Sequence, residues 1–294
     1  MHISNSWRII KMFSNSKILN FATFIILINL VGAAVFEKDV NLTMDQKALL
    51  DKFKIRMADK LPHEYMQKEI YLVKWLRSSN FNLDQAEERL LKNLEWRKEQ
   101  NMDTIHSEDW SDMWGADFRY FTEGRDKLGR PFMVVEMLTA DPRKIVLQGN
   151  GDRLVRYVDK AIDEACQLVQ ELGEKYGNMT RGNAITNLDG FSLIKHGCIR
   201  CLPFLIRNVV SFSQHWPECV DKMIFVNAPT EIEQILTLAR PLVSEETREN
   251  MFVYGTNKKV WMEALRQDFD LDQLPPSLGG TKIYKGMDKE NFDY

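Results

Sequence analysis

Residues 216–240, WPECVDKMIFVNAPTEIEQILTLAR, constrain this chain more than any other stretch. Residues 222–227 (KMIFVN) are a short, mostly apolar run of the kind that forms a buried strand. Ala228-Pro229 ends it, because proline brings no N–H to a ladder and restricts the residue before it. Beyond the turn, Ile232, Ile235, Leu236 and Ala239 recur at helical spacing, while Glu231, Glu233 and Gln234 fall on other faces. Thr230 is the expected N-cap, with Glu233 completing a capping box, and Arg240-Pro241 closes the helix. A buried strand thus feeds into a helix with an apolar underside, suited to cover the open face of a sheet. Alternation along the strand sets Met223 and Phe225 on one face and Ile224 and Val226 on the other.

The same periodicities organise the rest. Residues 132–137, 184–189 and 251–254 read as further strands. Helical stripes run through residues 153–172, through 199–212 with Pro203 in the first turn or kinking the helix, and through Trp261 and Leu265. Four strands separated by helices predict an α/β domain with a mostly parallel sheet. Residues 41–101 read instead as three helices with apolar stripes, the third capped by Asn82 or Asp84. The turn cluster Gly124 to Pro131 lacks the Gly-Lys-Ser/Thr ending of a phosphate loop and precedes a strand, so it is not one.

The first 34 residues differ from all of this. Arg8, Lys11 and Lys17 precede an apolar run at 18–31, followed by Gly32-Ala33-Ala34. A basic, then apolar, then small-residue order is that of a secretory signal. The run is short for a membrane span and is interrupted by Asn20, Thr23 and Asn29, which favours a cleaved signal peptide over an anchor. The expected location is therefore outside the cell or in the secretory lumen. Two glycosylation sequons, at Asn41 and Asn178, suit that compartment. Cys166, Cys198, Cys201 and Cys219 allow disulfides there, but their apolar, helical settings favour small buried thiols. A net charge of −3 over 294 residues leaves no global basic footprint for nucleic acid.

Chemistry-bearing motifs are scarce. Cys198 and Cys201 have a zinc spacing that His215 and Cys219 could complete, yet no second cysteine pair follows, so no metal is expected. No cofactor motif is present. Asp163, Glu164, Glu171 and Glu174 read as a solvated helix face. No Gly-x-Ser-x-Gly elbow occurs. A hydrolase assembled from scattered Ser, His and Asp residues is one alternative, and a protein-interaction module closed by the 232–239 helix is another.

The ordered series WPE…KMIFVNAP…ARPLVSEETREN…VYG…LP…LGG, with WLRSSNFNLDQAEERLLKN and LEWR upstream, resembles the CRAL-TRIO lipid-transfer family. The resemblance runs from about residue 47 to 281. It implies a helical N-terminal module at 41–101, a lipid-binding domain at 110–285, no enzymatic activity and a monomer. The helix after the Asn-x-Pro turn would be the lid of an apolar cavity holding a small hydrophobic lipid, tocopherol- or retinoid-like or otherwise neutral. Residue matching brings Val158, Ile162, Ala165, Thr186, Phe212, Trp216, Val220, Met223 and Phe225 to that cavity, with Ile235, Leu238, Ala239 and Val243 from the lid side. Glu218 matches a phosphatidylinositol-binding glutamate, but Asn250 stands where those binders carry lysine. Gly182 and Ala184 replace the polar residues that hold phosphatidylcholine. The lid-side basic positions of the tocopherol branch are Cys219, Asp221 and Asn250 here. The resemblance thus implies weak phosphatidylinositol binding, and transient membrane contact through apolar lid residues such as Ile232, Ile235 and Leu236.

Overall fold

In a computed structural model, described for residues 41–138, 140–176, 179–243 and 245–287, a five-stranded sheet runs in the order β1-β2-β3-β4-β5. The strands are β1 (Arg119–Arg125), β2 (Pro131–Glu136), β3 (Gly182–Asn187), β4 (Val220–Val226) and β5 (Met251–Val253). β1 pairs antiparallel with β2, and the other neighbours are parallel. The expected mixed α/β class and mostly parallel sheet are therefore observed, with one strand more than periodicity predicted. β1 (RYFTEGR) escaped because it is polar and its register shifts between Phe121 and Gly124. The Phe132 ring lies over Gly124, where a Cβ would come within 2.1 Å of it. The segment 1–34 and the sequon residue Asn178 lie outside the described residues, while Asn41 is exposed.

Ahead of the sheet, α1 (Met44–Met57), α2 (Glu69–Arg77) and α3 (Leu83–Glu99) match the three predicted helices. Phe53, Met57, Leu72, Trp75, Leu76, Ala86 and Leu90 form their shared core. Thr43 caps α1 through a capping box with Gln46, and the Asn82 side chain accepts from the N–H groups of Asp84 and Gln85 to cap α3. These helices and the sheet belong to one compact unit, Leu42–Tyr294. A short α4 (Ser111–Gly115) precedes β1.

The β2–β3 connection carries α5 (Pro142–Leu147) and the long α6 (Gly151–Tyr176); β3–β4 carries α7 (Leu193–His196) and α8 (Leu202–His215). The β4–β5 connection carries α9 (Ile232–Ala239) and α10 (Glu245–Glu249). Sequential strand order with crossovers of one hand sends successive connections to one face. α6, α8 and α9 accordingly share a side, which we term the front. The back is covered by α11 (Lys258–Asp268) and the chain after it: Val134, Ile185, Ile224 and Val226 pack with Trp261, Leu265, Phe269, Leu274, Leu278 and Tyr284. The Thr230–Glu233 capping box does not form. Glu231 is the N-cap of α9 without a side-chain cap bond, and the Thr230 hydroxyl donates to Glu231.

Candidate functional site

The register of the sheet builds the floor of a cavity on its front. Met133, Ala184, Met223 and Met251 lie opposite one another across β2–β5, and one step along lie Val135, Thr186, Phe225 and Val253. Their neighbours Val134, Ile185 and Ile224 point into the back core, as alternation requires. One wall is α6, with Val158, Ile162, Ala165 and Cys166 on a single stripe; another is α8, with Leu205, Asn208, Val209 and Phe212. α9 adds Ile235, Leu236 and Ala239 to the lining, followed by Val243 and Thr247. The volume of the cavity is about 300 Å³. Alanines stand at facing points of this shell, Ala184 on the floor, Ala165 on α6 and Ala239 on α9. A Leu or Met at any of them would fill space that close packing otherwise leaves no reason to keep open.

Of the thirteen residues that the sequence pointed to, Val158, Ile162, Ala165, Thr186, Phe212, Val220, Met223, Phe225, Ile235, Ala239 and Val243 line this cavity. Trp216 and Leu238 do not. Trp216 follows α8 and turns toward α6 and α3: its indole N–H donates to Asp163 Oδ1 of α6 (3.2 Å) and its ring meets Trp96 of α3 edge-on. Leu238 is 57% exposed. At about 100° per residue, Ile232, Ile235, Leu236 and Ala239 point inward together and Leu238 falls outside their arc. Ile232 and Leu236, expected to meet a membrane, are buried in this conformation against Leu188 and Ala228.

A profile of the CRAL/TRIO domain matches residues 117–280, more than half of the chain. The chain belongs to the CRAL/TRIO family. Members bind and transfer lipids. Curated relatives include Protein real-time of Anopheles gambiae, 26% identical over 215 residues (71% of this chain, 31% of that protein). A CRAL-TRIO domain-containing protein of Caenorhabditis elegans is 25% identical over 222 residues (74% and 30%). The chain thus spans about a third of the length of the curated relatives it matches. Among solved structures, the crystal structure of Sfh5 shares the fold at a TM-score of 0.59 and 16% identity, over 77% of this chain and 85% of that one.

A second cleft, about 670 Å³, opens beside the cavity and is lined by Arg77, Arg89, Glu218, Glu245, Glu249 and Asn250 among others. Sequence reading found Glu218 and Asn250 but missed both arginines, which come from the upstream helices and share no local motif with β4. Glu218 sits in the left-handed region (φ 52°), with Arg77 at 3.6 Å and Arg181 at 3.4 Å. Arg89 donates to the Ser78 carbonyl at 2.6 Å. Asp221, at one of the positions that are basic in the tocopherol branch, is bound by Arg130 (2.7 Å), so its charge is largely compensated within the fold.

The cysteines correct the sequence reading. Cys166 is bonded to Cys219 and Cys198 to Cys201, because α6 and the residue before β4 lie side by side and the 198–201 turn folds on itself. Cys198 and Cys201 are therefore not thiolate ligands, and no cluster that could hold a metal exists among the described residues. The acidic face expected on α6 is partly inward. Asp163, buried, accepts from Arg97 (2.8 Å), His106 (3.0 Å), Gln167 (2.7 Å) and Trp216. Burial acts against its charge, but these donors hold the carboxyl below its ordinary value. Asp159 accepts from the Ser211 hydroxyl at 2.8 Å, and burial pushes its carboxyl up to about 6. No imidazole is hydrogen-bonded to Ser211 or Asp159 among the described residues.

Proposed function

We propose that this CRAL/TRIO chain carries or stores one small neutral lipid in the front cavity, with α9 as its lid. The observation behind this reading is a concave space with an almost wholly apolar lining, of the kind that binds small apolar ligands. Lining without Lys, Arg, His, Asp or Glu disfavours a charged ligand, which would lose its hydration unpaired. The test is organic extraction of purified protein, which should yield lipid at a one-to-one ratio. Ile162→Trp or Ala165→Trp should abolish loading while the protein stays folded by circular dichroism; unchanged loading would sink the assignment.

Phosphatidylinositol is expected to load poorly. Two arginines in the larger cleft face three glutamates, Glu218, Glu245 and Glu249, and Asn250 adds no charge. A headgroup phosphate there would meet more carboxylates than guanidinium groups. In a competitive loading assay, a neutral isoprenoid should win.

Release follows from the lid. Exposing Ile232 and Leu236 to water costs about 1.5–3 kcal/mol each, so opening needs an apolar phase to receive them. Leu238 and Leu242 already face outward on α9 and the turn after it, and Leu205 and Ile206 are exposed on the neighbouring α8. These residues would make first contact with a membrane. Two disulfides support an oxidising compartment, in line with a secretory signal.

A further inference from the structure

The face of α8 toward the cavity carries Leu205, Asn208, Val209 and Phe212, and Asn208 interrupts an otherwise apolar stripe. Its Oδ1 is buried and has no hydrogen-bond partner among the described residues. One turn further along α8, Ser211 is satisfied by Asp159 of α6, so the same interface pairs one polar side chain and leaves the other unmatched. Asn183 also borders the cavity and its Oδ1 likewise has no partner among the described residues, but strand alternation turns its amide to the back of the sheet, where Nδ2 donates to Asp126 (2.9 Å). Thr186 does lie on the cavity side, since its neighbour Ile185 is in the back core. A buried amide oxygen without a partner is a cost to folding unless a ligand pairs with it.

Resting on the reading of the cavity as a lipid site, we infer that its ligand is a lipid alcohol, a compact aliphatic or isoprenoid body with one hydroxyl that pairs with the Asn208 amide. A hydroxyl donates to an amide oxygen and accepts from an amide nitrogen, so it satisfies Asn208 with either end turned toward it. An ester or aldehyde accepts only, and a hydrocarbon does neither. A fatty acid or an amine would bring a charge to a lining that has no opposite charge. The volume of about 300 Å³ is at the small end for ligand pockets, which fits one such body and not a two-chain lipid. Asn208 is then the specificity-determining residue of the cavity.

The experiment measures binding of farnesol, farnesyl acetate and farnesene to the delipidated full chain, native and Asn208→Leu, by tryptophan fluorescence and calorimetry. Native protein should prefer farnesol over farnesene by about tenfold, the scale of one well-placed hydrogen bond in a dry site. Asn208→Leu should bring the two within about twofold, keep farnesene binding and melt no lower than native, since it removes an unpaired amide. Equal binding of farnesol and farnesene by native protein, or an unchanged preference in the variant, overturns the role of Asn208 and leaves the cavity reading standing. Failure of native protein to bind any of the three overturns both.

Discussion

The two faces of the sheet obey one alternation rule and end in opposite states. On the back, Val134, Ile185, Ile224 and Val226 are buried and meet Trp261, Leu265 and Phe269, with Phe132 and Phe269 packed edge to face at 4.8 Å. On the front, Ala184, Thr186, Met223 and Phe225 face about 300 Å³ of open space. Apolarity is therefore common to both faces, and side-chain size at a few positions decides which becomes core and which becomes cavity. A face that keeps such a void gives up dispersion contacts, so its helices need another tie. The Cys166–Cys219 disulfide supplies one, joining α6 to the residue before β4 at the cavity wall.

The comparison breaks first at its packed side. Trp261 is almost fully buried, and its indole N–H donates to Asn227 Oδ1 (2.9 Å), which steadies the left-handed residue at the end of β4. Trp261→Ala should cost about 3–5 kcal/mol in denaturant unfolding, while the protein that remains folded loads lipid as native does. A loss of loading with little loss of stability would reverse the assignment of the two faces.

Removal of the front tie comes next in size. Cys166 and Cys219 are separated by 53 residues, and cross-linking a loop of that length stabilises by about 4 kcal/mol on chain entropy alone. Cys166→Ala with Cys219→Ala should lower stability on that order and quicken ligand loss, because both residues border the cavity. Cys198 and Cys201 are three residues apart, and their removal should cost far less. Equal losses from the two pairs would mean that loop closure is not what the longer bridge contributes.

How much of this was legible beforehand follows the range of the interactions. The split of β4 into Met223 and Phe225 against Ile224 and Val226 is set by local geometry, and it held. The inward stripe of α9 was likewise visible in its own spacing; matching to relatives added Leu238, which that spacing had left out. Trp216 and the disulfides depended on what lies across from them in space. Trp216 has Asp163 and Trp96 as neighbours, 53 and 120 positions away in the chain, and no window of sequence contains that. Arg77 and Arg89 reach the larger cleft from helices far upstream for the same reason. Asn208 carried a local signal, a lone amide in an apolar helical stripe, that the sequence reading passed over.

The smallest expected effect separates the faces by charge. Glu136, at the end of β2, points to the back, where it accepts from Asn187 Nδ2 (2.9 Å) and from Ser277 in the C-terminal segment. Burial outweighs these donors and pushes its carboxyl up to about 7. A raised carboxyl favours the folded state while protonated, so this stability is present below its ordinary value of 4.5 and is lost as pH rises through about 7. Glu136→Gln keeps an acceptor oxygen and never ionises. Its advantage over native should be near zero at pH 4, grow between pH 5 and 7, and level off above at no more than about 3 kcal/mol, with loading unchanged throughout. Asp159, between the front helices, is raised to about 6 by burial, so Asp159→Asn should gain its smaller advantage at lower pH, between about 4 and 6. Urea titrations of both variants at four pH values test the pair. A Glu136→Gln advantage that does not vary with pH, or a change in loading, would show that Glu136 does not act as a buried acid of the packed face.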